Sequence, residues 1–347
     1  MGVLQGHKEP NISGIIMKKN SIIFNLMGVI LCGLTMPAAA DVCGQNFSEC
    51  CEWSVLDGKM TLGADWLYWK VQQDGISPGS VVVSSDPTVT PPTTHSHKIH
   101  PDFQYESGFR VNLGYELPCD CWDIDLAYTY MPSHAKTHRF VSASELEIFS
   151  PVASPVFGST TFTSKWDLTS NNIDLDIGRT VSLGECLKLR PHIGFRATWF
   201  DQKYRSFSFL STTGATEALV LKEKFQGYGV EGGLWADWNL GCGLSLVGHV
   251  GGSVLYSKFK IHGDTLSGIL VEDVLELQTL TSSSDCFYSG TPMIDYFVGL
   301  QYADNFCDML FKAYVGWEQH ILFDTNRYLS SGNLSAQGLT LGLDVGF

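Results

Sequence analysis

Several groups in this 347-residue chain have types and spacings that could do chemistry. Asp123 and Asp125, Asp174 and Asp176, and Lys188 and Arg190 each stand two residues apart, and Arg196 and Glu231 extend the set. On an extended strand that spacing puts both groups on one face. Rows of carboxylate facing rows of Lys and Arg make either a transverse field across a constriction or a salt-bridged plug. The reading preferred from sequence is the constriction, with the carboxylate excess setting a cation preference. His95, His97 and His100 follow Pro91-Pro92, and His two apart on an extended segment can share a metal. No carboxylate accompanies them, so they are read as a polar loop and no metal is expected. No phosphate loop, nucleophile elbow or zinc-helix motif occurs. His134, His138, Asp201 and Asp264 are the groups an external hydrolytic site would draw on, but nothing in their spacing anchors one. No enzyme activity, catalytic residue or cofactor is expected.

The elements that must position these charges are strands. Phe109, Val111, Leu113, Tyr115 and Leu117 alternate with Arg110, Asn112, Gly114 and Glu116. Trp122–Tyr130 and Leu187–Trp199 repeat the pattern, as do stretches near Thr61–Gln72, Asn172–Leu183, Phe225–Leu240, Leu244–Ser257, Pro292–Tyr302, Met309–His320 and Leu334–Phe347. Period-two alternation marks a strand with unlike faces. Ten candidates result, and hidden hairpins in Ser206–Leu210 with Ala218–Leu221, and in Ile269–Leu280, widen the expected count to about 10–14. The connections alternate between short (Pro118–Cys121, Gly184–Cys186, Asn239–Gly243, Ala303–Asp308) and long (Asp74–Asp102, Met131–Lys165, Asp201–Lys224, Lys258–Gly290, with a shorter Phe323–Asn333). Short periplasmic turns with long external loops are the order of a transmembrane β-barrel. Trp66, Trp69, Trp122, Tyr130, Trp199, Trp235, Trp238 and Trp317 are expected in its interfacial girdles. The fold class expected is therefore all-β, an antiparallel transmembrane barrel over residues 60–347.

Composition agrees. Charged residues make up 17% of the chain and aromatics 12%, with mean hydropathy +0.04. So apolar and aromatic a chain collapses, which excludes disorder. Beyond residue 40 no apolar run reaches the ~20 residues of a membrane helix. A net charge of −14 makes nucleic acid a poor partner.

Lys18-Lys19, the apolar Ile22–Met36 and Pro37-Ala38-Ala39-Ala40 read as a cleaved signal peptide within residues 1–40, with Met17 as the expected start. Removing Lys8, Glu9, Lys18 and Lys19 leaves 19 basic and 35 acidic residues, a net of −16. Residues 41–59 form a Cys-rich segment expected in the periplasm. Cys43, Cys50 and Cys51 lie there, while Cys119, Cys121, Cys186, Cys242 and Cys307 all fall in or beside the short turns. Only Cys286 maps to an external loop. The periplasm permits disulfides, so these eight are candidates for a cross-linked periplasmic rim. An odd total of nine leaves a thiol free or paired to another chain. Intramolecular bridges bracing the turns are an alternative; a metal site is a weaker one, since Cys119 and Cys121 lack the zinc-pair spacing.

Leu339, Leu341, Leu343, Val345 and Phe347 alternate with Thr340, Gly342, Asp344 and Gly346 to the chain end. This resembles the terminal strand recognised by the barrel assembly machinery, with Phe347 as the assembly signal. Gly63-Ala64-Asp65-Trp66-Leu67-Tyr68-Trp69-Lys70, followed by Gln73-Asp74-Gly75, resembles the first strand of the major-outer-membrane-protein-like, pore-forming family of Legionella and the environmental chlamydiae. The Cys-rich segment, the Gly-aromatic strands and the terminal Phe are further matches. The resemblance implies an outer-membrane porin passing small hydrophilic solutes or ions. From the chlamydial relatives it also implies disulfide linkage to other Cys-rich envelope proteins. The alternative is a surface-exposed, adhesin-like or structural barrel with no open pore. Outer-membrane lipid is the expected surroundings, and a homo-oligomer is left open.

Overall fold

The computed structural model describes residues 59–76, 79–84, 94–99, 101–118, 121–140, 147–149, 161–184, 186–210, 214–271, 274–306, 309–327 and 332–347. The expected signal peptide, Cys43, Cys50, Cys51, Cys119 and Cys307 lie outside them.

Ten strands form one closed antiparallel sheet. In chain order they are β1 (Lys59–Gln73), β2 (Tyr105–Glu116), β3 (Trp122–Phe140), β4 (Thr161–Arg179), β5 (Leu187–Leu210), β6 (Ala215–Gly241), β7 (Leu244–Val271), β8 (Val274–Phe306), β9 (Met309–Asn326) and β10 (Gly332–Gly346). Each pairs with its sequence neighbours, and β10 pairs with β1 from Thr61↔Gly346 to Gln73↔Leu334. At the seam Met60 and Phe347 exchange N–H···O bonds of 2.9 Å each. Closure leaves no unpaired edge, which lipid would penalise. Asp102–Phe103 pairs with β3, and Val181–Leu183 with the start of β5. Thr94–Ile99, Gly79–Ser84 and Glu147–Phe149 make a separate three-stranded sheet from the first two long connections.

The short connections bring both ends of the described barrel and its tight turns to one rim, the periplasmic one by the short-turn rule. Gly241-Cys242-Gly243 has φ values of 102°, 54° and 78°, a hairpin turn that needs left-handed backbone. Asn239 Oδ1 accepts the Gly241 N–H at 2.8 Å to hold it.

All ten sequence-expected strands are present, but two expected loops are almost wholly ladder, and the ends of a third, 131–140 and 161–165, are ladder too. Residues 201–210, 215–224 and most of 258–290 continue the ladders, so β5 to β8 run 24, 27, 28 and 33 residues. On β7 the outward apolar stretch ends at Tyr256, some 12 residues from Leu244, which matches the ~25 Å apolar band of such barrels. The rest of the strand projects beyond the membrane. Sequence patterning misses this projection because the alternation changes phase there. On β6 the apolar positions are Tyr228, Val230 and Leu234, facing out, but then Phe225, Leu221 and Leu219, facing in.

Candidate functional site: the charged lumen

Strand parity decides which groups reach the lumen. On β3, β4 and β5 the odd, even and even positions respectively turn inward, which places Asp123, Asp125, Asp174, Asp176, Arg190 and Arg196 inside. Glu231 faces in from β6 and is buried. Lys188 shares the parity of Arg190 but sits exposed at the periplasmic mouth. All eight sequence-named charges thus lie on the inner face or its mouth.

Three guanidinium groups gather them. At the periplasmic side, Arg190 Nε donates to Asp123 Oδ1 at 2.6 Å, and Nη2 to Asp125 Oδ2 at 2.6 Å and Asp176 Oδ1 at 2.7 Å. The ligand atoms of these three carboxylates lie within 4.8 Å of one another, a spacing fit for a cation, and Arg190 supplies it. Deeper, Arg196 spans the lumen: Nε to Asp174 at 2.6 Å, Nη2 to Glu231 at 2.7 Å and Nη1 to Asp295 on β8 at 2.6 Å. Opposite, Arg110 on β2 reaches Glu318 on β9 at 2.6 Å and Asp65 on β1 at 3.2 Å, and its Nε donates to Thr129 at 3.0 Å. Tyr314 OH donates to Asp65 at 2.6 Å. Its ring lies where a Cβ on residue 342 would be, so Gly342 is what lets it cross.

The arrangement corrects the expected constriction between opposed rows. Acid and base do not face each other across open water; they meet in bonded clusters. Among the described residues, eight carboxylates contact these three guanidiniums. Arg110, Asp65, Asp295 and Glu318 were missed by spacing, because each is the sole charge on its stretch of inner face. Their common signal is a charge at an inward position flanked by outward Trp, Tyr, Val or Phe, as with Asp65 before Trp66.

On the external side of this belt apolar side chains gather in the lumen, with Gln73, Ser133 and Gln202 buried among them. Leu67, Trp69, Val71, Met131, Leu168 and Met293 are all buried there. Trp69 also donates its Nε1–H to Thr340 at 3.1 Å and lies under Arg110, 5.6 Å from the ring centre. A cavity of about 70 Å³ remains between belt and apolar layer. Two girdle expectations are thereby corrected. Trp69 and Trp235 face inward, because each lies three residues from an outward Trp (Trp66, Trp238) and so takes the opposite face. Trp235 stacks on His249 at 4.5 Å, and His249 on His192 at 5.2 Å.

At the periplasmic rim Cys121 is disulfide-bonded, to a cysteine outside the described residues. Cys186 and Cys242 carry exposed free thiols. Asn239 N–H to Cys186 O, at 2.7 Å, and the Gly241–Gly243 turn hold these positions. Cys286 is also free, on β8 beyond the membrane. His134 on β3 pairs with Glu106 on β2 at 2.9 Å, and Asp264 with His262 on β7 at 3.2 Å, so the two groups sit in separate pairs. The side chains of His95 and His97, on Thr94–Ile99, and His100 lie outside the described residues.

Several solved structures share this outline at low similarity. The outer membrane protease OmpT of Escherichia coli is 9% identical, covering 83% of this chain and 96% of its own, with a TM-score of 0.42. A major outer membrane protein of Thermus thermophilus is 15% identical, with 84% and 99% covered and a TM-score of 0.36. Ail, the attachment invasion locus protein of Yersinia pestis, is 12% identical over the same shares, with a TM-score of 0.25. No curated protein sequence matches. A family model does, over residues 54–347, which takes in all ten strands. The chain is an outer-membrane β-barrel and belongs to the family of the Legionella pneumophila major outer membrane protein precursor.

Proposed function

We propose that the barrel is a narrow porin for small hydrophilic solutes and ions, with a preference for cations. The observation that carries this reading is the carboxylate excess in the lumen, eight against three guanidiniums. Burying so many like charges is costly unless protons or mobile cations share the space. A wall with no traffic would be more stable with fewer of them. The reading assigns no chemical step to any residue.

The apolar layer favours a second reading, an occluded structural barrel whose projecting hairpins present a surface. In either case the exposed thiols of Cys186 and Cys242 are suited to disulfides with other Cys-rich envelope proteins or a second copy. Recognition of Phe347 by the assembly machinery is proposed with both. Proteoliposomes separate the two: release of entrapped potassium supports the porin, and retention at the rate of empty vesicles supports the occluded barrel.

A further inference from the structure

Just beyond the outward aromatics Trp199, Tyr228 and Tyr256, the outer wall turns basic. Lys222 and Lys224 stand there on β6, Lys258 and Lys260 on β7, and Lys203 and Arg205 on β5, all at outward positions. Strand register makes this a compact grid. Lys203 stands directly opposite Lys222, and Lys224 directly opposite Lys260. Like charges at such positions, with Cβ atoms about 5 Å apart, destabilise a sheet. The local acids offset them only in part: Asp264, outward on β7, lies near Lys222 but is paired with His262 at 3.2 Å. Asp167 is taken by Lys165 at 2.9 Å and Arg205 at 2.6 Å, and Asp201 stands across from Lys224 without bonding it. Among the described residues, none of Lys203, Lys222, Lys224 and Lys260 makes an ion pair. In a chain of net charge −14 this concentration of cations is against the trend.

Height identifies what would neutralise it. The grid begins one to two rows above the outward aromatics Trp199, Tyr228 and Tyr256, the level at which acyl chains give way to head groups; beyond it only scattered apolar residues, Phe207 and Leu280 among them, face out. Tyr256 and Tyr288 stack at 5.4 Å at that boundary, with Lys258 over the Tyr288 ring at 5.4 Å. Ammonium groups fixed at head-group level, in pairs facing outward into the leaflet, suit phosphate oxygens. We propose that the face formed by Lys203, Lys222, Lys224, Lys258 and Lys260 docks the phosphates of an anionic outer-leaflet lipid, seated against Tyr256 and Tyr288. This rests on the outer-membrane placement alone and holds whether or not the lumen conducts.

The test is a titration of the full chain, folded in zwitterionic micelles, with lipid A and with its dephosphorylated form. Wild type is expected to bind the phosphorylated lipid, more weakly as salt rises. Lys203→Gln/Lys222→Gln/Lys224→Gln/Lys260→Gln should bind it on the order of a hundredfold more weakly. Lys59→Gln/Lys70→Gln, off the grid, should match wild type. The heat-modifiable electrophoretic shift of a folded barrel must be the same for all three proteins. Equal affinity of wild type and the fourfold variant would overturn the proposal. So would equal binding of the dephosphorylated lipid, or competition by inorganic phosphate as effective as by the lipid.

Discussion

Along β7, Val250, Val254 and Tyr256 face out, and His249, Ser253 and Leu255 face in. A few residues on, Lys258 and Lys260 face out while Phe259 faces in. The membrane-spanning part is thus wrapped apolar outside and holds the ionic belt inside. The projecting part has cations outside and stacked aromatics inside, with Phe200 on Phe225 at 4.5 Å and Phe259 on Phe287 at 5.0 Å. One backbone ladder serves both, because β-sheet hydrogen bonding is indifferent to which face is apolar. The solvent chooses the face: lipid demands outward apolar groups, and water demands the reverse. The projecting hairpins therefore hold themselves together as a soluble sandwich core does, whereas the spanning wall needs its surroundings.

Substitutions can break that contrast from either side. Arg196→Met should leave Asp174, Glu231 and Asp295 without their shared cation and cost about 3–5 kcal/mol. Denaturant unfolding in micelles would show it as a loss over the whole barrel. Phe225→Ala, with a cost of about 3–5 kcal/mol from the cavity left behind, should instead act locally. Hydrogen exchange is expected to rise at the Leu210–Ala215 hairpin and stay unchanged at the seam between β1 and β10. Whole-barrel loosening would show that the two parts are one cooperative unit. Val254, 54% exposed, faces the acyl chains, so Val254→Lys should cost about 2–4 kcal/mol in lipid. Lys260→Val, past the boundary, should leave barrel stability near wild type in the same assay.

The projecting core also holds Glu223, fully buried on β6. Burial pushes its carboxyl up to about 8, against an opposing hydrogen bond from Gln202 and the nearby Arg327. A carboxyl raised in the folded state stabilises least when ionised. Stability of the hairpins is therefore full below the ordinary carboxylate range and falls as pH rises toward about 8. Glu223→Gln should flatten that slope, read by hydrogen exchange at the Leu210–Ala215 hairpin at two pH values. An unchanged slope would show that Glu223 is not its source. The smallest effect belongs to Asp167. Burial works to raise its carboxyl, but hydrogen bonds from Lys165 and Arg205 outweigh it and hold the group below its usual range. Asp167→Asn should cost only about 0.2–1 kcal/mol, since exposed pairs are weak. That contribution is present at neutral pH and lost as pH falls through the lowered value.

The contrast also explains what could be read in advance. Ten strands and their short turns were legible because Val111, Ile193 and Leu341 keep one phase across the lipid. Arg190 and Asp123 were legible as lumen charges for the same reason. The inward packing of Phe259 was not, since its apolar phase is opposite and it falls in the segment Lys258–Gly290, read as a long connection. That Arg196 bonds Asp295 was hidden too: the two are 99 residues apart, and only closure of the barrel brings β5 and β8 across one lumen.

The claim on which the functional account turns is that this belt of carboxylates governs passage. Its most direct test is the reversal potential of the folded chain in planar bilayers under a KCl gradient. The account predicts a potential on the potassium side for wild type, displaced toward chloride by Asp123→Asn/Asp125→Asn/Asp176→Asn, which leaves Arg190 uncompensated. An absence of channel steps, or one reversal potential shared by both proteins, would contradict it.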